Sequence, residues 1–375
     1  MTTDAPRTHP TGMSAPDAGD IVISIDAMGG DRGVADIVRG MGKSLEKNPR
    51  LRYILHGDAA VLKSAIRART PLAERTEIRH AESVIGMEDK PSRALRSAKG
   101  SSMWNALETV RDGESPAVIS CGNTGALMAL SMLALRKAPG IDRPAIAVLW
   151  PSRNPAGYNV VLDAGADIRA DAADLLKYAL MGTSYARNAL GVVRPRVGLL
   201  NVGTEEHKGR SELHQAAEMI GAAGPAGDFD YIGYVEGTDM PSDRVDVIVT
   251  DGFTGNVALK AAEGTARQIA DYLRESIQRS WMAKIGYVLA KSAFDRVREK
   301  MDPRKVNGGV FLGLNGIVIK SHGGTDGEGY AAAIKVGYDM VRNGLYEKIE
   351  ADLRKYHTLI VPPSDVEEEP ATGTI

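Results

Sequence analysis

Residues 21–47 read IVISIDAMGGDRGVADIVRGMGKSLEK. The apolar run 21–25 suits a strand buried on both faces. The glycine-rich turn DAMGGD follows, and a helical stretch over 33–47 comes next, with Asp31 as its expected N-cap. Other apolar runs meet similar clusters: SCGNTGA (120–126), NVGTEEHKG (201–209), DGFTGN (251–256) and KSHGGTDG (320–327). Glycine lets a ligand approach the main chain, and neighbouring Thr, Asn and Asp add polar groups in a small volume. A helix that starts after such a loop points free N–H groups outward, which suits an anion. The five clusters together predict one phosphate- or acyl-binding pocket at one edge of a sheet.

Further strands are expected over 52–56, 117–119, 145–150, 159–162, 197–201, 231–235 and 245–249. Helices are expected over 123–137, 171–190, 211–220 and 254–279, the last capped by Thr254. Apolar strands alternating with helices argue for an α/β fold, a three-layer α/β/α arrangement around a mostly parallel sheet. In such sheets ligands sit beyond the carboxyl ends of strands.

The chain has 375 residues, 43% of them hydrophobic, which is ample for a core. Its net charge of −2 provides no basic field for nucleic acid. Cys121 is the sole cysteine, so no intrachain disulfide can form, as suits a reducing cytoplasm. Residues 1–20 lack the apolar core of a signal peptide and read as a disordered tail, as does the acidic stretch 362–375. The expected division is therefore one catalytic α/β domain over 21–361 between two tails. No apolar run is long enough to span a bilayer.

One segment departs from the pattern. Residues 281–300 read WMAKIGYVLAKSAFDRVREK. On a helix Trp281, Ile285, Val288 and Leu289 share a stripe, with Met282 beside it and Lys284 and Lys291 flanking. Arg296, Arg298 and Lys300 follow. A basic amphipathic helix of this kind packs on another helix or a second copy, or lies on an anionic membrane surface. This element is expected within 272–302.

Seven stretches in order, IDAMGGD (25–31), EDKPSRALRSAKGSSM (88–103), SCGNTGALM (120–128), LDAGAD (162–167), NVGTEEHKG (201–209), VTDGFTGNVALK (249–260) and GLNGIVIKSHGGTD (313–326), resemble the bacterial acyl carrier protein-dependent phosphate acyltransferases of phospholipid synthesis, the PlsX family. The resemblance implies a fold similar to isocitrate and isopropylmalate dehydrogenases and to phosphotransacetylase. It implies a cytoplasmic homodimer that moves a long-chain acyl group from acyl carrier protein to inorganic phosphate, without cofactor or metal. A membrane glycerol-3-phosphate acyltransferase would then consume the acyl phosphate. It also implies peripheral membrane contact through an apolar helical element near the dimer interface, which favours 281–300 for that part.

For such a reaction the protein must hold phosphate beside a thioester carbonyl and stabilise the oxyanion. Lys208 is the candidate cation; a solvated surface lysine is the alternative. Asn256 would donate its amide to the oxyanion or phosphate, or cap a helix, as would Asn123 and Thr124. The remaining substrate-binding candidates are Asp26, Gly29, Gly30, Asp31, Gly122, Gly125, Asn201, Gly203, Thr204, Glu205, Asp251, Gly252, Thr254, Gly255, His322 and Gly323. His322 would act as a base or phosphate donor, whereas His207 and His214 are expected at the surface. Cys121 reads as a buried inert thiol rather than an acyl carrier. Asp26, Asp163, Asp167 and Asp251 are expected to orient loops, and nothing in their spacing demands a metal. The apolar helix holding Met128, Leu130, Met132, Leu133 and Leu135 is expected to be mostly core. A basic patch for the acidic carrier protein would come from Arg93, Arg96 and Lys99, or from 284–300.

Two other readings remain open. One is another enzyme on the same scaffold, such as a short-chain phosphotransacetylase or a dehydrogenase; a nicotinamide enzyme would need a strand–GxGxxG–helix unit, which is not found. A non-catalytic membrane scaffold would leave the polar loops without a task.

Overall fold

The computed structural model describes residues 19–302, 304 and 307–356, the side chains of 298–301 excepted. The residues expected as a C-terminal tail, the side chains of Arg298 and Lys300, and most of the expected N-terminal tail lie outside them. Gly19 and Asp20 lie inside: Asp20 is paired with Arg75 at 3.0 Å and Arg52 at 3.4 Å.

The strands are β1 (Ile21–Asp26), β2 (Leu51–Gly57), β3 (Thr76–His80), β4 (Ala117–Ser120), β5 (Ala145–Pro151), β6 (Tyr158–Leu162), β7 (Arg196–Leu200), β8 (Asp230–Val235), β9 (Val247–Val249), β10 (Gly309–Leu312) and β11 (Ile317–Lys320). The helices are α1 (Val34–Lys47), α2 (Ala59–Ala65), α3 (Pro71–Glu74), α4 (Pro91–Arg96), α5 (Ser102–Arg111), α6 (Thr124–Ala134), α7 (Ala172–Leu190), α8 (Ser211–Gly227), α9 (Gly252–Gln278), α10 (Trp281–Leu289), α11 (Lys291–Met301), α12 (Gly327–Arg342) and α13 (Leu345–Lys355).

The eleven strands among the described residues form one sheet in the order β3-β2-β1-β4-β11-β10-β5-β6-β9-β7-β8. Strands β1 to β4 and β11 are parallel neighbours, and so are β6, β9, β7 and β8. Between them β10 runs antiparallel to both β11 and β5, and β5 antiparallel to β6. The sheet is mostly parallel, as expected, but β6 to β9 point opposite to β1, β4 and β11. The glycine loops therefore do not all follow strand ends at one edge, as expected, but form two groups. One follows β1, β4 and β11; the other follows β6, β7 and β9. Strand twist of roughly 20° per step accumulates to on the order of 100° between β4 and β9, and α9 spans from the second group to the first.

Alternate residues of each strand enter different cores, the period of two in a pleated strand. Ile119, Val160, Leu162, Val247 and Val249 join the core under α1, α7, α8, α12 and α13. Val118 faces α5 and α6 instead, and Val161 and Ile248 face Ala258 of α9. Helices thus cover both faces. Within α6, Met128 and Leu130 are buried, while Leu133 is exposed.

Two capping expectations are corrected. Gly33, not Asp31, is the N-cap of α1, and no side chain caps that terminus. Asp251, not Thr254, caps α9 by accepting from the Thr254 N–H at 2.6 Å. A carboxylate there also meets the positive end of the helix dipole. Helix α9 begins at Gly252, so Asn256 lies just beyond its first turn.

Helices α9 to α11 leave the body of the protein. Only Gly252 and Gly255 are buried among the residues of α9. Trp281 is 71% exposed and Leu289 82%, with Met282, Ile285 and Val288 also open. The exposed apolar surface continues along α9 through Ile269, Tyr272 and Leu273. Tyr287 and Phe294 stack at 5.2 Å and hold α10 to α11.

Candidate functional site

The first loop group is organised by Asp26, which is buried at the end of β1. Its carboxylate accepts from Ser102 Oγ at 2.6 Å and Ser120 Oγ at 2.7 Å, linking β1 to α5 and β4. Burial raises its pKa against these hydrogen bonds. Both oxygens are engaged inside the protein, so Asp26 orders the loops. Asp31 donates its N–H to Gly323 O at 2.8 Å, bringing DAMGGD against SHGG. Gly29, Gly30, Gly33, Cys121, Gly323 and Thr325 line a small depression there.

Asn123 is the N-cap of α6, accepting from Ala126 N–H at 3.0 Å. Its amide donates to the Met87 and Asp89 carbonyls at 2.6 and 2.9 Å. Its side-chain amide and oxygen are thus both engaged locally, as the capping reading expects. Thr124 and Gly125 open the same helix beside Pro91. Cys121 is buried, and burial pushes its thiol up to about 11. At neutral pH it is a thiol, not a nucleophilic thiolate.

The second group is built around β7 and β9. The Asn201 amide donates to Lys208 O at 2.9 Å, and His214 Nε2 lies 2.9 Å from the same oxygen. A carbonyl only accepts, so Nε2 carries the proton. His214 is half-buried and braces Lys208, contrary to the surface role expected; His207 is exposed. The Lys208 ammonium meets Glu205 at 2.7 Å and remains about two-fifths exposed. Gly203 lies beneath the Lys208 side chain, and Thr204 is exposed beside it. Gly209 has φ +100°, and a Cβ there would lie 2.4 Å from Asn201 Oδ1, so only glycine closes this loop.

Arg210 pairs with Asp251 at 2.5 Å, so the Lys208 loop is tied to the start of α9. Its guanidinium and the Thr254 N–H hold the Asp251 carboxyl below its usual range, against the opposing effect of burial. Gly255 packs so closely on the carbonyl of Asp163 that a Cβ would lie 1.9 Å from it. Asp163 in turn accepts from the N–H groups of Ile146, Gly165, Ala166 and Asp167, and burial pushes it up to about 6. Asp167 receives Arg143 at 2.7 Å and Tyr178 at 3.1 Å. These aspartates orient loops. Among the described residues, no group of three or more His, Cys, Asp or Glu is arranged to hold a metal. Asn256 packs against Gly165, whose Cβ position lies 3.4 Å from the Asn256 side chain.

The two groups meet through α9. Lys260 is one turn beyond Asn256 on the same face, and its Nζ lies 3.0 Å from His322 Nε2. Lys320 ends β11, with Nζ 3.4 Å from Cys121 O and also bonded to Ser321 O. Sequence reading passed over Lys260, Lys320 and Arg210 although each lies in or beside a quoted motif. A lysine that ends the apolar run IVIK was the available signal for Lys320.

The family model described as "Fatty acid synthesis protein" matches residues 21–348. A phosphate acyltransferase of Paracoccus denitrificans (strain Pd 1222) is 60% identical over 338 residues, 90% of this chain and 91% of the relative. That of Jannaschia sp. (strain CCS1) is 57% identical over 333 residues, 89% of this chain and 91% of the relative. Among solved structures, a phosphotransacetylase from Streptococcus pyogenes superposes with TM-score 0.55 at 15% identity, covering 90% of this chain and 95% of its own. A branched-chain phosphotransacylase from Enterococcus faecalis V583 gives 0.51 at 14%, covering 86% and 99%. At such identities the structural likeness speaks for the fold, which agrees with the phosphotransacetylase-like architecture expected. Identity well above half along nine-tenths of the sequence places the chain, by descent, in the fatty acid synthesis protein family, that of the phosphate acyltransferases.

Proposed function

We propose that the protein moves a long-chain fatty acyl group from acyl carrier protein to inorganic phosphate, releasing the acyl phosphate for phospholipid synthesis. The observation that carries this reading is the Arg210–Asp251 ion pair, which joins the Lys208 loop to the helix that bears Asn256. In this mechanism a phosphate oxygen attacks the thioester carbonyl carbon and the thiolate of the carrier leaves. Phosphate is anionic near neutral pH, so no enzyme nucleophile is needed. Lys208 neutralises phosphate and the charge that develops, after leaving its exposed pair with Glu205, a pair of small net value. The Asn256 amide donates to the oxyanion. The N–H groups and side chains of the glycine loops hold the substrates.

We further propose that the apolar face of α9 to α11 meets a second copy of the chain and that Trp281, Met282, Ile285, Val288 and Leu289 contact the membrane surface. The open apolar surface of these helices supports this, since a patch of that extent is normally covered. No helix among the described residues is long and apolar enough to cross a membrane. Such a placement would deliver acyl phosphate to a membrane glycerol-3-phosphate acyltransferase. Arg93, Arg96 and Lys99 are exposed around α4 and are candidates for carrier docking.

The test is an assay with palmitoyl-acyl carrier protein and inorganic phosphate in chelator-treated buffer, trapping acyl phosphate with hydroxylamine. Phosphate-dependent hydroxamate is expected. Absence of product from folded protein, with product from a coenzyme A thioester, would move the donor to that class.

A further inference from the structure

We infer that Asp163 is a positioning residue: the turn that it folds aims the side-chain amide of Asn256 at the reacting carbonyl. The inference rests on the acyl-transfer reading, in which that amide meets the oxyanion.

Three observations carry it. The first is that nothing else aims the amide. Asn256 is exposed, and among the described residues its side chain makes no hydrogen bond. Only packing then sets its direction. The side chain lies against Gly165, where a Cβ would sit 3.4 Å from both Asn256 Cβ and Cγ. Gly165 has φ +129°, so glycine permits this close approach. The second is that the Asp163 carboxylate builds the turn bearing Gly165. Fully buried, it accepts from the N–H groups of Gly165 at 3.1 Å, Ala166 at 3.0 Å and Asp167 at 2.6 Å, and from Ile146 of β5 at 2.9 Å. Four N–H groups converge on one side chain, and the turn is anchored to the sheet. The third is that this turn seats the start of α9. The Gly252 N–H donates to Asp167 O at 2.7 Å. A Cβ at Gly252 would lie 2.5 Å from Asp163 Oδ2, and one at Gly255 1.9 Å from Asp163 O. Contacts this short leave no play between the turn and the helix that bears Asn256. On the far side of the turn, Arg143 and Tyr178 hold the Asp167 carboxylate.

The ionised carboxylate is the form that fits. It offers only acceptors to the four N–H groups, whereas a proton on either oxygen would set an O–H donor among them. Burial pushes Asp163 up to about 6, against the N–H groups that favour its charged form. Around it stand Asp167 of the same turn, Tyr178 and Asp174 of α7, Arg143 ahead of β5, and Asp251 with Arg210 at the head of α9. Asp167 is engaged by Arg143 and Tyr178, Asp251 by Arg210, and Asp174 by the Asp171 N–H. Among the described residues no cation pairs with Asp163. As pH falls through the value for Asp163, the proton loosens the turn and Asn256 loses its seat.

The experiment measures hydroxamate formation by the full chain at saturating substrates, on either side of pH 6. It compares wild type, Asp163→Asn, Asn256→Ala and the double variant. Asparagine puts an N–H donor where acid would put a proton. Asp163→Asn should lower kcat by about tenfold with KM little changed, as for a misplaced group. Asn256→Ala should lower it by about a hundredfold. The double variant should be no slower than Asn256→Ala alone, because the two residues act as one unit. Wild-type turnover should fall as pH drops through about 6, and this acid limb should shrink alike in both single variants. The titration of phosphate itself is common to all four proteins and cancels in the ratio of variant to wild type. Should Asp163→Asn fail to fold, Arg143→Gln takes its place, since Arg143 is exposed and its loss frees the far side of the turn. It should lower kcat by about threefold, and not at all in the Asn256→Ala background. Additive losses, an acid limb undiminished in Asp163→Asn, or an Arg143→Gln enzyme of unchanged kcat would overturn the role of Asp163 and leave Asn256 in place. A wild type that transfers no acyl group, or a fully active Asn256→Ala enzyme, removes the acyl-transfer role of Asn256 and this inference with it.

Discussion

The side-chain amide of Asn201 donates to the main-chain carbonyl of Lys208, seven residues further on, at 2.9 Å. The main chain of the candidate cation is therefore held by the residue that follows β7. Lys208→Ala should lower kcat by about a hundredfold or more, as when one preorganised stabiliser of a developing charge is removed. Asn201→Ala should lower it by about tenfold while the ammonium remains present. Steady-state kinetics beside melting curves separate the two, and a fully active Lys208→Ala enzyme would sink the assignment.

Asp26 is the acceptor for two buried serine hydroxyls. Asp26→Ala leaves Ser102 and Ser120 without it, at a cost of about 2–4 kcal/mol. The urea midpoint should fall at constant m-value. A midpoint equal to wild type would mean that the serines find other partners.

Lys320 should cost stability. Its pKa falls from 10.5 to about 8 on folding, so the folded protein binds the proton less tightly. Between these values the unfolded chain carries more protons, and stability rises with pH through that window. The full cost, about 3 kcal/mol at most, is present below pH 8. Lys320→Met should raise the melting temperature at pH 7, and the advantage should vanish by about pH 10.5. A variant that melts lower at pH 7 would contradict the burial cost.

Cys121→Ala should keep most activity, because the thiol is buried and protonated at neutral pH. Alkylating reagents should label the native chain slowly and the urea-unfolded chain fast. An inactive but folded alanine variant would point instead to an acyl-cysteine intermediate.

Val288→Glu with Leu289→Glu places charges on the open face of α10. Sedimentation with anionic liposomes should show weaker binding, while turnover of soluble acyl carrier protein substrate persists. Unchanged liposome binding would return α10 to a packing role.

The strands expected over 117–119, 145–150 and 159–162 are present because each is an apolar run long enough to declare itself. Strand β3 was missed because TEIRH is polar and only half-buried at an edge. Strands β10 (GVFL) and β11 (IVIK) are as long as β4 but were missed because the glycines around them, at 308, 309, 313, 316, 323 and 324, read as loop. Asp31 and Thr254 looked like caps by residue type, but capping depends on the φ and ψ of the turn, and the turns chose Gly33 and Asp251.

Local patterning alone determined the α/β class, the glycine loops and the motifs that announce the family, since apolar runs and turn residues act over a few positions. Tertiary structure alone decided that β5 and β10 reverse the sheet and divide the loops into two groups. It also decided that α9 brings Lys260 to His322, 62 residues away in sequence. A lysine's surroundings are set by chain segments distant in sequence, so neither the crowding of charge at Lys320 nor the brace on Lys208 can be read from neighbours along the chain.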